Sequence, residues 1–126
     1  MPYQKELGNR GEQIALAFLQ GKGLRFLEKN FHAQGGEIDL IFFDPTPKEY
    51  VFVEVKTRRS NSFGDGIAAI TLNKFEKILR AAEDFFLKKM KMQEVPFFRV
   101  DVVIVRIDRG GVFTEYVQEI GFDDFR

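Results

Sequence analysis

The sequence contains no cysteine and a single histidine among its 126 residues. The absence of cysteine excludes disulfide bonds and thiolate metal sites, and it suits a reducing compartment. One histidine excludes a metal site built from several imidazoles. Lysine and arginine number 19, and aspartate and glutamate also number 19, so the formal net charge is zero. The chain therefore lacks the positive charge typical of nucleic-acid-binding proteins, although charge could still be segregated by face.

Long apolar segments are also missing from the sequence. No uninterrupted apolar run approaches the ~20 residues that span a bilayer, and the first six residues contain no apolar signal core. No glycine-rich phosphate loop, nucleophilic serine–histidine arrangement or dinucleotide fingerprint is present. We therefore expect a cytoplasmic protein that makes no contact with a membrane.

The chain is nevertheless rich enough in apolar residues to form a packed core. Hydrophobic residues make up 44% of it, and 15 residues are phenylalanine. Without a repeat or linker, we expect one domain over residues 1–126. Periodicity predicts helices at 7–21 and from Thr71 as N-cap to about 90, strands at 24–31, 36–43, 49–57, 97–107 and 112–120, and a polar loop at 58–66. This α-β-β-β-α-β-β order indicates an α/β domain whose mixed sheet is flanked by helices.

Two of the predicted strands carry ionised residues where buried strands ordinarily carry apolar ones. Because strand side chains alternate, Glu37 and Asp39 share one face and Ile38 and Leu40 share the other. Likewise Glu54 and Lys56 lie on one face of the next strand. Residues 44–48 between them form a strong turn signal. A hairpin centred on this turn places Glu37 opposite Lys56, an ordinary salt bridge, and Asp39 opposite Glu54. The second pair is destabilising unless a cation lies between the carboxylates.

The cation that we expect between Asp39 and Glu54 is Mg²⁺ or Mn²⁺, because hard cations prefer oxygen ligands. The backbone carbonyl of Val55 could complete the ligands from the protein. Such an ion keeps several waters, one of which could be deprotonated to attack a phosphodiester. Lys56 could orient that water or stabilise charge in the transition state. The alternative interpretation is a solvated sheet face with cross-strand ion pairs.

A third carboxylate could reach the same place from the first predicted helix. Glu12 lies beside the small residues Gly8, Gly11 and Ala15, which permit close approach of the helix backbone. Its carboxylate could contact the metal or a water bound to it. An exposed glutamate on a helix surface is the alternative.

Basic residues provide candidate contacts to a phosphate backbone. Lys74, Lys77 and Arg80 are spaced by three and form one stripe on the second predicted helix. They could hold phosphates together with four arginines, Arg10, Arg58, Arg59 and Arg99. A solvated helix face is the alternative for the stripe. Phe31 and Phe63 could stack on bases, but core packing is the better interpretation in a chain with 15 phenylalanines.

Those acidic and basic residues, in that order, resemble the PD-(D/E)XK nuclease superfamily. Asp39 matches its first acidic position, with Ile38 in place of the proline, and Glu54-Val55-Lys56 matches the (D/E)XK element. Glu12 matches the first-helix glutamate of the Holliday-junction-resolvase branch. A closer resemblance, over nearly the whole chain, is to the YraN-like family of uncharacterised bacterial proteins. Its segments are Gly11-Glu12 with Ala15, Asn30, residues 36–41, residues 52–56, Arg58, Phe63-Gly64, Lys74 and residues 99–103.

The resemblance implies a restriction-endonuclease-like core and a metal-dependent nuclease. The expected catalytic residues are Glu12, Asp39, Glu54 and Lys56, and the expected nucleic-acid contacts are Arg58, Arg59, Lys74 and Lys77. Structured or branched DNA is the expected substrate rather than RNA, and a homodimer would suit a two-fold junction. Two other functions stay open. One is a non-catalytic nucleic-acid-binding module, and the other is a protein-interaction adaptor that uses the sheet edge near the last strand.

Overall fold

The computed structural model describes residues 2–59 and 70–125. Its helices and strands are α1 (Pro2–Gly21), β1 (Arg25–Ala33), β2 (Gly36–Asp44), β3 (Glu49–Arg58), α2 (Leu72–Asp84), β4 (Phe98–Asp108) and β5 (Gly111–Val117). A π-helical turn at Phe85–Lys89 continues α2, and a 3₁₀ helix lies at Phe122–Phe125. The predicted order of helices and strands is confirmed, while most of the predicted loop 58–66 lies outside the described residues.

The five strands form one mixed sheet in the order β1-β2-β3-β4-β5. Neighbouring strands are antiparallel except β3 and β4, which are parallel and are connected through α2. A parallel pair needs such a crossover connection. Strand β3 is central, and its residues 51–54 are all buried. It is therefore covered on both faces, as parallel strands usually are.

The two helices cover opposite faces of the sheet and enclose two apolar clusters. On one face Phe52 of β3 packs with Ile78 of α2 and with Phe86 of the π-helical turn. On the other face Leu19 of α1 packs with Val53 of β3. Each helix thus buries its apolar stripe against one face, which gives the predicted layers.

Close approach of α1 to β3 depends on a glycine. A Cβ atom added to Gly11 would overlap the side chain of Thr57, so the middle of α1 lies directly on the end of β3. The other end of α1 is closed by Gly23, which has a φ of 93°. Only glycine adopts that conformation without strain. These two positions hold α1, and with it Glu12, over the central strand.

Several element boundaries differ from the predicted ones. Helix α1 begins at Pro2 rather than at residue 7, and the regular α-helix of α2 ends at Asp84 rather than near residue 90. Thr71 is the N-cap as predicted, and its hydroxyl accepts a hydrogen bond from the Lys74 amide at 3.1 Å. Strand β5 ends at Val117 rather than at residue 120, because the chain turns at Glu119, whose φ is 56°.

Candidate active site

The β2–β3 hairpin has the predicted register up to the point where the two strands separate. Five pairs, from Asp44↔Glu49 to Leu40↔Val53, follow the register expected for a hairpin centred on residues 44–48. Beyond the last pair, the Asp39 carboxylate accepts a hydrogen bond from the Val55 amide, with Oδ2 and N 2.8 Å apart. The side chain of Asp39 therefore takes a position at which a strand backbone would otherwise pair with β3.

Side-chain alternation in β2 breaks at this same aspartate. Ile38 packs in the cluster beneath α2, whereas Leu40 packs in the cluster beneath α1. The prediction that these two side chains share a face is wrong. In the facing strand β1, Asn30 has a φ of 54° and lies between the residues that pair with Leu40 and Ile38. The irregular backbone at Asn30 and Asp39 places Ile38 and Leu40 on opposite faces of the sheet. The Asp39 carboxylate can then reach β3.

Glu54 is the buried carboxyl group of the site. The residue is 4% exposed. Burial, the charge of Asp39 and a hydrogen bond with the Asp39 carboxyl raise the pKa of Glu54 to about 8, although Lys74 and Lys56 act in the opposite direction. Desolvation and a like charge both disfavour the ionised form. The two carboxyl groups that the hairpin was predicted to bring together therefore do lie side by side.

Two lysines approach the Glu54 carboxyl group. The Nζ atoms of Lys56 and Lys74 lie 3.5 Å and 3.9 Å from Glu54 Oε2. Lys56 comes from the same strand, whereas Lys74 comes from the first turn of α2. The predicted salt bridge between Glu37 and Lys56 is wrong: Glu37 Oε2 lies 3.2 Å from Nδ1 of His32. The strands have already separated at that position, so the two side chains no longer face each other.

Glu12 lies on the α1 side of the sheet, where the charge of Asp39 acts on it. Partial burial and the charges of Asp39 and Glu37 raise the pKa of Glu12, while Lys29 opposes the shift. Glu12 also lines a cavity of about 280 Å³ between α1 and strands β1 and β2, together with Asn9, Gln13, Leu16, Lys29, Asn30 and Leu40. The charge of Asp39 therefore acts on Glu12, while contact of Glu12 with a metal or its bound water stays a prediction.

The donor set suits a hard divalent cation. Asp39 and Glu54 supply carboxylate oxygens, and the carbonyl of Val55 lies in the same stretch of β3. A buried carboxyl group beside another carboxylate is electrostatically unfavourable, and a bound cation would relieve that repulsion. Among residues 2–59 and 70–125, no group of three or more histidine, cysteine, aspartate or glutamate side chains forms a metal cluster. The candidate site therefore has two carboxylates and one backbone carbonyl.

The predicted phosphate contacts fall into two separate places. Lys74 and Lys77 line a groove of about 450 Å³ against the turn between β1 and β2. The helix approaches this turn so closely that a Cβ added to Gly36 would lie 2.9 Å from the Lys77 carbonyl oxygen. Arg58 is exposed at the end of β3. Arg59 lines a different cavity, on the α1 side of the sheet.

Arg99 is the predicted phosphate contact that the structure contradicts. It is 8% exposed, and its guanidinium contacts three carboxylates. Nε lies 3.1 Å from both oxygens of Asp101, and Nη1 lies 3.0 Å from Asp44 and 3.1 Å from Glu49. Burial by itself would lower the pKa of Arg99. The charge of Asp101 and the surrounding hydrogen bonds outweigh that effect, so the pKa lies above its ordinary value. The guanidinium is therefore enclosed and neutralised by the protein.

Asp101 is the central acceptor of this interior network, and sequence reasoning gave it no role. It is 0% exposed and accepts hydrogen bonds from the Tyr116 hydroxyl at 2.5 Å and from the Glu119 amide at 2.9 Å. Burial and the bond to Asp101 raise the pKa of Tyr116. The signal in the sequence is an Arg-Val-Asp triplet directly before the apolar run of residues 102–105. Buried polar groups need such partners, so this network fastens β4 to the hairpin and to the segment after β5.

The two phenylalanines that could stack on bases are in different situations. Phe31 is buried, and its ring packs edge-on against Phe85 with centroids 5.4 Å apart. It belongs to the core. Phe63, together with Gly64, lies outside the described residues.

The length and hydropathy of the helices bear on membrane insertion. Within the described parts of the chain, no helix is both long and apolar enough to cross a bilayer.

Comparison with known sequences gives one consistent family. The sequence model of the uncharacterised protein family UPF0102 matches residues 11–105. A UPF0102 protein of Pelobacter propionicus is 39% identical over 110 residues, which cover 87% of this chain and 77% of the relative. One from Nitrosococcus oceani is 38% identical over 106 residues, covering 84% and 83%. A third, from Colwellia psychrerythraea, is 44% identical over 102 residues, covering 80% and 77%.

Proposed function

The chain belongs to the uncharacterised protein family UPF0102, and we propose that it is a nuclease dependent on Mg²⁺ or Mn²⁺. It would hydrolyse phosphodiester bonds in nucleic acid, with structured or branched DNA as the substrate rather than RNA. One observation carries the proposal. The buried carboxyl group of Glu54 lies against Asp39, with two lysine ammonium groups within 4 Å of it.

The energetics of this arrangement support a cation site. Burial of a carboxyl group beside a second carboxylate costs free energy, and a pKa of about 8 for Glu54 expresses that cost. Replacing such a pair with apolar residues would often stabilise a fold. Strongly perturbed groups of this kind cluster at functional sites. A site that binds a divalent cation gives the arrangement a purpose that a solvated sheet face does not.

Each residue of the site has a role in the proposed reaction. Asp39, Glu54 and the Val55 carbonyl would hold the cation, which supplies Lewis-acid activation of water and neutralises phosphate charge. Lys56 is partly exposed beside Glu54, so its ammonium group can orient the attacking water and donate to the phosphate oxygens. Glu12 would accept a hydrogen bond from water on the α1 side of Asp39.

The distribution of charge supports binding of a polyanion despite the zero net charge. The Arg99 network pairs one guanidinium with one buried and two partly buried carboxylates, a net charge of −2. The rest of the chain therefore carries a formal net charge of +2. Lys74 and Lys77, in the groove beside the site, and Arg58 and Arg59, at the end of β3, are the proposed backbone contacts.

The direct test is cleavage across a panel of branched, single-stranded and duplex DNA and RNA, with Mg²⁺, Mn²⁺ or chelator. Asp39→Asn keeps an acceptor for the Val55 amide but removes the charge, so we expect a folded protein with cleavage reduced at least about a thousandfold. Lys56→Ala should reduce turnover about a hundredfold. Lys88→Ala, an exposed lysine paired with Asp84, is the matched control and should cleave normally.

Three experimental results would contradict the nuclease proposal, and each would support a different conclusion. Absence of cleavage with either ion on every substrate would refute the catalytic proposal. Salt-sensitive binding without turnover, unaffected by chelator, would instead favour the non-catalytic binding module, because electrostatic binding needs no metal. Binding to a protein partner that survives the loss of Lys56, Lys74 and Arg58 would favour the adaptor. Light scattering with a four-way junction would test the proposed homodimer.

A further inference from the structure

A second cavity, on the opposite flank of α1 from Glu12, is lined by three arginines. Its volume is about 680 Å³, and its walls are Arg10, Arg59, Ile107, Asp108 and Arg109. We call it the arginine pocket. A neighbouring cavity of about 210 Å³ shares Arg10, Arg59 and Ile107 and adds Glu6 and Leu7. The concave surface therefore extends along the start of α1.

Three different elements bring these arginines together. Packing of Gly11 on Thr57 places the middle of α1, including Arg10, beside the end of β3. Arg59 follows the last residue of that strand. Arg109 lies in the turn from β4 to β5, where Asp108 Oδ1 accepts a hydrogen bond from the Gly110 amide at 2.7 Å. The convergence is thus a product of the fold rather than of neighbouring positions in the sequence.

The balance of charge in the arginine pocket favours an anionic ligand. Three guanidinium groups line it against the carboxylate of Asp108, which already accepts a backbone hydrogen bond, and the adjoining cavity adds one carboxylate, that of Glu6. Among the residues that the structure describes, no carboxylate oxygen lies within 4.0 Å of a nitrogen of Arg10 or Arg109. Guanidinium groups bind phosphate oxygens through paired N–H donors, so a phosphate is the chemically matched ligand.

The position of the pocket distinguishes it from the carboxylate site. Glu12 and Arg10 are two residues apart on α1, which places them about 200° apart around the helix. Along β3, five residues separate Glu54 from Arg59, a distance of about 16 Å. That distance corresponds to the rise of about five base pairs of duplex DNA. A phosphate in the arginine pocket would therefore lie well away from the bond that the carboxylates act on.

We propose that the arginine pocket binds the phosphodiester backbone of a DNA arm about five base pairs from the cleaved bond, as an anchor that takes no part in chemistry. The choice of DNA backbone rests on the proposed nuclease function, whereas binding itself does not require cleavage. The guanidinium groups would hold phosphate oxygens at the far end of the site. The groove of Lys74 and Lys77 would hold the backbone on the other face of the sheet.

Binding can be measured without turnover. The Asp39→Asn protein in chelator is titrated into fluorescently labelled four-way junction and duplex DNA, and anisotropy gives Kd at several salt concentrations. Adding Arg10→Gln or Arg109→Gln to this protein should raise Kd roughly threefold to tenfold. The slope of log affinity against log salt concentration should become smaller by about 1 for each phosphate that the variant no longer neutralises. Arg25→Gln, an exposed arginine at the start of β1, is the matched control and should leave Kd and slope unchanged.

Turnover gives an independent measurement on the unmodified active site. With Asp39 intact, Arg10→Gln and Arg109→Gln should raise KM by the same factor as Kd and leave kcat unchanged. Circular dichroism and thermal unfolding confirm that each variant is folded. Cleavage with normal Kd and KM in both variants would overturn the anchor and leave the nuclease proposal intact. DNA binding that depends on Arg10 and Arg109, without any cleavage, would support the anchor and refute the nuclease proposal.

Two further outcomes concern the source of the phosphate. Inorganic phosphate and a nucleoside monophosphate are titrated calorimetrically against the same protein. We expect each to bind far more weakly than the junction, because each offers only one phosphate. Binding of either as tightly as the junction, or equal loss of DNA binding in Arg25→Gln, would overturn a backbone anchor.

Discussion

Replacement of Glu54 by glutamine tests the desolvated carboxyl group on which the site depends. The ordinary pKa of this side chain is 4.5, and in the folded protein burial and Asp39 raise it to about 8. The native state therefore holds a proton that the unfolded chain releases, and unfolding becomes easier as the pH rises between these two values. The full difference in pKa corresponds to about 5 kcal/mol of unfolding free energy. About 3 to 4 kcal/mol of this is lost between pH 5 and pH 8.

The assay is urea unfolding of the wild-type protein and Glu54→Gln in chelator, at intervals from pH 5 to pH 8. Glutamine cannot ionise, so the variant lacks this contribution. We expect the unfolding free energy of the wild type, relative to the variant, to fall by about 3 to 4 kcal/mol across that range. The comparison cancels the titration of groups that do not interact with Glu54, provided that both proteins unfold in two states.

A matched control and a metal titration complete the experiment. Glu76→Gln changes an exposed glutamate on α2 and should follow the wild type at every pH. At pH 8, Mn²⁺ or Mg²⁺ should raise the stability of the wild type and leave Glu54→Gln nearly unchanged, because the cation binds only the native carboxylates. Parallel pH profiles for wild type and Glu54→Gln would refute the reasoning, since Glu54 would then ionise as an exposed carboxyl group does.

The remaining predictions concern the packing and the interior network. Gly11→Ala should destabilise the fold by about 1 to 3 kcal/mol because its Cβ overlaps Thr57, and Thr57→Ala should recover part of that loss in urea unfolding of the double variant. Tyr116→Phe removes one of the two donors to Oδ2 of buried Asp101, leaving that oxygen only Nε of Arg99, and should cost about 1 to 2 kcal/mol. Arg99→Leu leaves Asp101 without its cation and should cost about 3 to 5 kcal/mol, so a smaller loss than that of Tyr116→Phe would contradict the network.

Local signals predicted the part of the site that lies within one hairpin. The turn at residues 44–48 contains two prolines and an aspartate, and the register centred on it is the observed one for five residue pairs. A register that places Leu40 opposite Val53 leaves Asp39 and Glu54 as the next residues along the strands. Their proximity could therefore be predicted without knowledge of the rest of the fold, whereas their roles in binding a metal stay a prediction.

The same hairpin also shows where local reasoning fails. Strict alternation required Ile38 and Leu40 to share a face and Glu37 to meet Lys56, and both predictions are wrong. The cause is the Asp39 side chain, which takes the Val55 amide and ends the strand pairing. A side chain that substitutes for a backbone partner leaves no mark in the pattern of polar and apolar residues.

Arginines were the least predictable residues of the chain. The charge of Arg99 suggests phosphate binding at the surface, yet the residue is enclosed by Asp44, Glu49 and Asp101. The partners Asp44 and Glu49 precede it by about fifty residues in the sequence. Arg10 and Arg109, nearly one hundred residues apart, line one cavity. Whether an arginine is buried or exposed depends on carboxylates that only the folded sheet brings near it.

The sequence by itself determined the order of helices and strands, the turn that pairs β2 with β3, and the family to which the chain belongs. These follow from patterns within short segments: apolar periodicity, glycine and proline positions, and capping residues. Outside that hairpin, only the tertiary structure decided which charges meet. Lys74 reaches Glu54, and Glu12 approaches Asp39, because burial of apolar stripes presses α2 and α1 onto opposite faces of the sheet. Hydrophobic burial is non-directional, so it brings the layers together without specifying in the sequence which ionised groups face one another.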